Sequence, residues 1–142
     1  MAANVADTLM KLLMVPVSAG ELFDKITILQ IKQERIADPA KLANVRLELS
    51  LLNSAANDLP TADPEVQALL AELRSINETI WDAEDLVREF ERTGAFGEAF
   101  VNNARATYRN NDRRARAKRR LNELLGSALM EEKSHARPIR PV

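Results

Sequence analysis

The chain has no cysteine and only one histidine, His135, which sits in a C-terminal stretch containing Pro and Arg. The missing thiols exclude disulfides, thiolate nucleophiles and cysteine metal sites together, and they suit a reducing cytoplasm. One histidine excludes a multi-histidine zinc site, and its place in that stretch argues against a Ser-His-Asp triad. Any chemistry therefore falls to carboxylates, Lys, Arg, Tyr108 or a bound ion. Long apolar runs are missing too, with nothing near the roughly 18 residues of a membrane span. The opening MAANVADTLMKLLMVPVSAG has one lysine, and an acid, Asp7, precedes its apolar patch, so neither a secretory signal nor a membrane partner is expected. A cytoplasmic protein is the default expectation. Charge of one sign is scarce, with a net −1, so bulk electrostatics does not point to nucleic acid. Four glycines and six prolines leave little punctuation, and few strands are expected.

What is present is helical periodicity. With 46% hydrophobic and 29% charged residues over 142 positions, the composition fits one all-α domain. Residues 1–17 read as an N-terminal arm, with a short helix from Asn4 to Met14 stopped by Pro16. Residues 18–133 read as the helical domain, and 134–142 as a disordered tail. Ser18-Ala19-Gly20-Glu21 has the pattern of a capping box, which starts a helix running to Ile36. That helix is apolar on two sides and is expected to lie between partners. Asp38-Pro39 and Asp63-Pro64 each combine an N-cap with Pro at the first helical position. The longest helix, Pro64 to Arg92, precedes Gly94, a C-terminal signal. A further helix from Gly97 to Arg109, a break at Asn110-Asn111-Asp112 and a last helix to Glu132 complete a bundle of five to six helices with one long central helix.

On that long helix Val66, Leu69, Leu73, Ile76, Ile80, Trp81 and Val87 share one arc, and Asn77, Glu84, Arg88 and Glu91 continue it. Polar groups on a core seam need partners, a solvated cavity, or a position past the core's edge. Asn77, Trp81, Glu84 and Arg88 would suit a small anionic ligand, through aromatic stacking and guanidinium pairing. They would equally suit a structural network, with Glu84 and Arg88 as an i,i+4 pair joined by Lys25, Lys32 or Arg35. Two acid pairs, Glu21/Asp24 and Asp82/Asp85, could hold Mg²⁺ if they faced each other, and otherwise no cofactor is expected. They are similar to the ExxE and ExxD helices of all-α nucleoside triphosphate pyrophosphohydrolases, except that another complete helix separates them here. ELFDKITILQIKQERI also resembles, in its rhythm of acid, base and aliphatic residues, a helix of chorismate mutase-like enzymes. Finally, Arg105 to Arg120 holds eight bases and one acid, whereas Glu78 to Glu91 holds six acids. The basic run could bind RNA, or the two halves could pair within the fold or across a homodimer.

Three segments, Pro16 to Ile36, Asn77 to Glu91 and Tyr108 to Ser134, together resemble an uncharacterised bacterial family, a domain of unknown function. The resemblance implies a small helical protein without an established activity. Its members tend to lie near glycosyltransferase and surface-polysaccharide genes, which hints at cell-envelope sugar metabolism. By position the resemblance emphasises Gly20, Glu21, Asp24, Lys25, Lys32, Asn77, Trp81, Glu84, Asp85, Arg88, Asn111, Asp112, Arg114, Lys118 and Asn122. The resulting expectation is a non-catalytic binding or accessory protein, a homodimer, with a polar pocket between the first main helix and the C-terminal half of the long one. A Mg²⁺-dependent enzyme acting on a phosphorylated small molecule is the alternative, and RNA binding the second.

Overall fold

The computed structural model describes residues 11–135. Four helices account for its regular structure: α1 (Ala19–Arg35), α2 (Pro39–Ala56), α3 (Pro64–Thr93) and α4 (Glu98–Leu124). The expected short helix from Asn4 lies mostly outside the described residues, and residues 11–17 are non-helical. The tail expected from residue 134 lies, beyond 135, outside them as well.

The caps form where the sequence supplies them. Asp38 accepts from Lys41 N, and Asp63 from the backbone N–H groups of Glu65 and Val66. Gly94, at φ 69°, closes α3 in a left-handed turn in which Ala95 N donates to Phe90 O. The capping box at Ser18 is half formed. Ser18 Oγ accepts from Glu21 N at 3.1 Å, but the Glu21 carboxylate turns to the Lys118 ammonium at 2.7 Å, a charge-assisted contact stronger than a return to the backbone.

α1 touches all three other helices, so the middle of the packing belongs to it, and the longest helix, α3, flanks it. Its Leu22, Phe23, Ile26 and Leu29 join Val45 and Leu49 of α2, Val66 and Leu73 of α3, and Ala117 and Leu121 of α4 in one core. α2 packs on α1 alone.

α3 and α4 form an antiparallel hairpin joined by residues 94–97. Contacts between Glu65 and Arg120, Glu72 and Arg113, Ala83 and Asn103, and Phe90 and Phe100 step along it in order. Its α3 seam, Leu69, Leu73, Ile76, Ile80, Ala83, Val87 and Phe90, alternates spacings of four and three, as in coiled coils. The α4 seam keeps that spacing but reads Phe100, Asn103, Thr107, Asn110, Arg114, Ala117 and Leu121. Here the expected break fails, and with it the count of five to six helices. Asn110 Nδ2 donates to Ala106 O, Thr107 Oγ1 to Asn103 O, and Asn103 Nδ2 crosses to Ala83 O. These side chains satisfy themselves without breaking the helix backbone. The last helix also stops earlier than expected. Gly126, at φ 65°, turns the chain, and Ser127 N donates to Asn122 O at 2.8 Å, ending α4 at Leu124 rather than near Glu132.

Candidate functional site: a buried polar network beside an aromatic groove

The N-terminus of α1 meets α4 closely because Gly20 carries no Cβ. One built there would stand 2.5 Å from the Lys118 carbonyl oxygen. The approach lets Gly20 N donate to Asn122 Oδ1 at 2.6 Å and Ala19 N to Ser127 Oγ at 3.2 Å. One turn further along, Lys118, which is 7% exposed, aims its ammonium at three carboxylates: Glu21 at 2.7 Å, Glu131 at 2.8 Å and Asp24 at 3.6 Å. Burial draws the Lys118 pKa down. The hydrogen bonds to Glu131 and Glu21 and the charges of Asp24 and Glu21 outweigh that, so the net shift is upward from 10.5. The Glu131 carboxyl is correspondingly lowered from 4.5, first by its bond to Lys118.

From Asp24 the network passes inward to α3. Asn77 Nδ2 donates to Asp24 Oδ1 at 2.8 Å and to Thr27 Oγ1 at 2.9 Å, and Asn77 Oδ1 accepts from Arg114 Nη1 at 3.1 Å. Arg114 Nη2 reaches Asn111 Oδ1 at 2.8 Å. The Arg114 guanidinium is thus held by two amide oxygens, and it has no carboxylate among its hydrogen-bond and salt-bridge partners in the described residues.

Asn77 and Arg114 also form the inner end of a groove of about 280 Å³, whose floor is Ile28, Ile80 and Trp81 and whose rim carries Glu84, Asp85 and Arg88. The Arg35 guanidinium lies 5.8 Å from the Trp81 ring centroid and pairs with Asp82, which fixes the indole from the α1 side. Lys25 and Lys32 stand one turn before and one turn after Ile28 on α1.

The residues expected to form one site therefore divide in two. Glu21, Asp24, Lys118 and Asn122 belong to the buried network; Trp81, Glu84, Asp85 and Arg88 belong to the groove; Asn77 and Arg114 join them. Lys25 and Lys32 flank the groove without a direct contact to it, and Asp112 takes part in neither. Asn111, Thr27, Ser127 and Glu131 complete the network. Asn111 was visible through the resemblance, whereas the other three carried no signal of their own.

The alternatives left open by the sequence narrow. Glu84, Arg88 and Glu91 are exposed, past the core's edge, because α1 ends beside Trp81 and Asp82. Beyond it α4 packs on α3 through Ala83 and Phe90, away from these three. Glu84 and Arg88 pair with each other at 2.8 Å. Replacing either by Ala is expected to change stability by less than about 0.5 kcal/mol in urea unfolding, since exposed i,i+4 pairs contribute little. The acid pairs do not face one another: Glu21 and Asp24 close on Lys118, and Asp82 closes on Arg35. Among the described residues no three acidic or histidine side chains converge on a metal position. The basic part of α4 pairs with a different set of acids from the Glu78 to Glu91 run. Arg113 meets Glu72, Arg120 meets Glu65 and Glu123, and Arg119 meets Glu132. An antiparallel hairpin opposes the end of α4 to the start of α3, and so keeps the two runs apart.

No helix among the described residues is long and apolar enough to cross a membrane. A family model described as Family of unknown function (DUF6165) matches residues 13–141. No curated protein and no solved structure matches the chain.

Proposed function

We propose, for a chain that belongs to the DUF6165 family of unknown function, that it is a non-catalytic binding or accessory protein whose groove receives a small anionic molecule bearing a flat ring. The observation that carries this reading is Arg114: a guanidinium at the end of a groove lined by Trp81, hydrogen-bonded to Asn77 and Asn111 and to no carboxylate among the described residues. Glu131 is felt only through its charge. A cation pre-positioned by neutral amides retains its pull on an anion, and an aromatic floor adds contact area at small entropic cost. Lys25 and Lys32 add positive charge on the flank, against Glu84 and Asp85 on the rim, of which Glu84 is taken up by Arg88. Nucleotide sugars offer both a ring and phosphates, and they accord with a link to cell-surface polysaccharide metabolism.

The test uses Trp81, the only tryptophan, as its own reporter. Intrinsic fluorescence and melting temperature are followed against inorganic phosphate, nucleotides and nucleotide sugars, each with and without Mg²⁺. A ligand of this class should quench the indole and, at about 100 times its Kd, add about 2.7 kcal/mol of stability. Arg114→Lys should weaken that binding by removing the fork geometry while keeping the charge. Absence of quenching and of any melting shift at millimolar ligand would sink the reading.

A further inference from the structure

A second apolar cleft lies away from the groove. Because α2 packs on α1 alone, α2 and α3 stand apart and leave a space of about 380 Å³ between them. Phe23, Ile26, Leu70 and Ala71 give it an apolar lining, and Gln30, Asn53, Gln67 and Arg74, the last paired with Glu34 and Glu78, give it polar edges. The same chain carries an apolar segment that is largely exposed. Leu12-Leu13-Met14-Val15-Pro16-Val17 is neither helix nor strand, and Leu13, Met14 and Val15 are 94%, 87% and 70% exposed. Consecutive large apolar side chains standing in water mark an interaction surface.

We propose that this cleft is a peptide-binding site, and that its occupant is the arm Leu12–Val17 of a second copy of the chain. Chemistry and dimensions both fit. An extended arm leaves its backbone N–H and C=O groups unpaired. Gln67 Nε2 already donates to Thr61 O and Gln30 Oε1 accepts from Arg74, but the second amide hydrogen of Gln67, the Gln30 amide group and the Asn53 carboxamide can still pair with such a backbone. The α1 side of the cleft, from Phe23 to Gln30, runs roughly 10 Å, enough for three extended residues at about 3.3 Å each. Leu13, Met14 and Val15 are the three most exposed. A copy of the chain, rather than its own arm, is the occupant. The chain's own arm does not line the cleft, and its residues 12–17 stand exposed, so both the cleft and the arm are left for a second copy. An exchange of arms between two copies buries each arm in the other's cleft, and two-fold symmetry closes the assembly without leaving a free arm.

Sedimentation equilibrium of the full chain, from low to high micromolar, is the test. The expected result is a dimer. Met14→Asp places a charge on an exposed arm residue and cannot disturb the core; it should weaken the dimer about 100-fold. Ala71→Arg, on an exposed position of the cleft wall, should do the same while leaving the melting curve in place. A labelled peptide of residues 11–18 should bind the Met14→Asp chain and fail to bind the Ala71→Arg chain. A chain that stays monomeric throughout, or a dimer indifferent to Met14→Asp, would overturn the proposal. Neither result bears on the groove around Trp81, which the arm does not touch.

Discussion

Gly20→Ala is expected to destabilise the fold by about 3 kcal/mol, at the upper end for overpacking, and to lower the melting temperature by about 10 °C. The added methyl would stand 2.5 Å from the Lys118 carbonyl oxygen and 2.9 Å from Asn122 Oδ1. The first of these neighbours is backbone in the interior of α4, so no side-chain rotation relieves it, and α1 must move off by roughly 1 Å to restore ordinary contact. That movement stretches the Gly20 to Asn122 bond and draws Glu21 and Asp24 away from Lys118. Urea unfolding measures the loss. Gly97→Ser supplies a control of opposite sign, because a Cβ there meets nothing within 4 Å and α4 has no side-chain cap. A serine hydroxyl in that place should stabilise by about 0.5 kcal/mol. Equal losses in the two variants would show that the close approach of α1 and α4 contributes nothing particular.

Elements whose core seams are apolar were legible in the sequence, and those whose seams are polar were not. α1, α2 and α3 combine clear caps with aliphatic periodicity, and α1's two apolar faces correctly place it between partners. α4 reads as two helices because Asn110-Asn111-Asp112 imitates a cap, and the polar seam the structure reveals there, Asn103, Thr107, Asn110 and Arg114, offers no aliphatic periodicity to bridge it. What distinguishes a seam amide from a cap is the partner across the hairpin, such as Ala83 O for Asn103, and that partner is about 20 residues away in the chain. The candidate site behaved similarly. The wheel identified Asn77 as a polar residue on a buried face, and it is buried. The same wheel marked Glu84, Arg88 and Glu91 because periodicity along α3 continues past the point where α1 stops covering it. Where a covering helix ends is a property of the crossing angle, which the pattern on one helix does not contain. The third carboxylate at Lys118 was hidden for another reason: Glu131 arrives on an irregular segment after the Gly126 turn, where no periodicity exists.

Lys118→Met should cost about 3 kcal/mol, and its pH dependence separates loss of charge from loss of packing. Removing one partner of a buried ion cluster typically costs 3 kcal/mol or more, since it leaves uncompensated charge, and the lower figure applies here because Glu21 and Glu131 stand partly in water. Methionine keeps the aliphatic stem, so the loss reports mainly the ammonium. In the parent chain the raised pKa of Lys118 gives stability that is complete below the ordinary lysine value of 10.5 and fades as the pH rises through the raised one. The lowered pKa of Glu131 gives stability that is complete above 4.5 and fades as the pH falls through the lowered one. The variant lacks both limbs. It also leaves Glu21 and Asp24 without their shared cation. The gap between parent and variant should therefore be widest from about pH 5 to pH 10 and narrow at either end. Urea titrations at pH 4, 7 and above 10.5 measure it. A gap constant across that range would assign the loss to packing. Because Asp24 orients Asn77, and Asn77 orients Arg114, the same variant should also weaken anion binding in the Trp81 groove. Arg114→Lys, by contrast, should reduce binding while leaving the pH dependence of stability unchanged, which distinguishes the group that meets the ligand from the cluster that positions it.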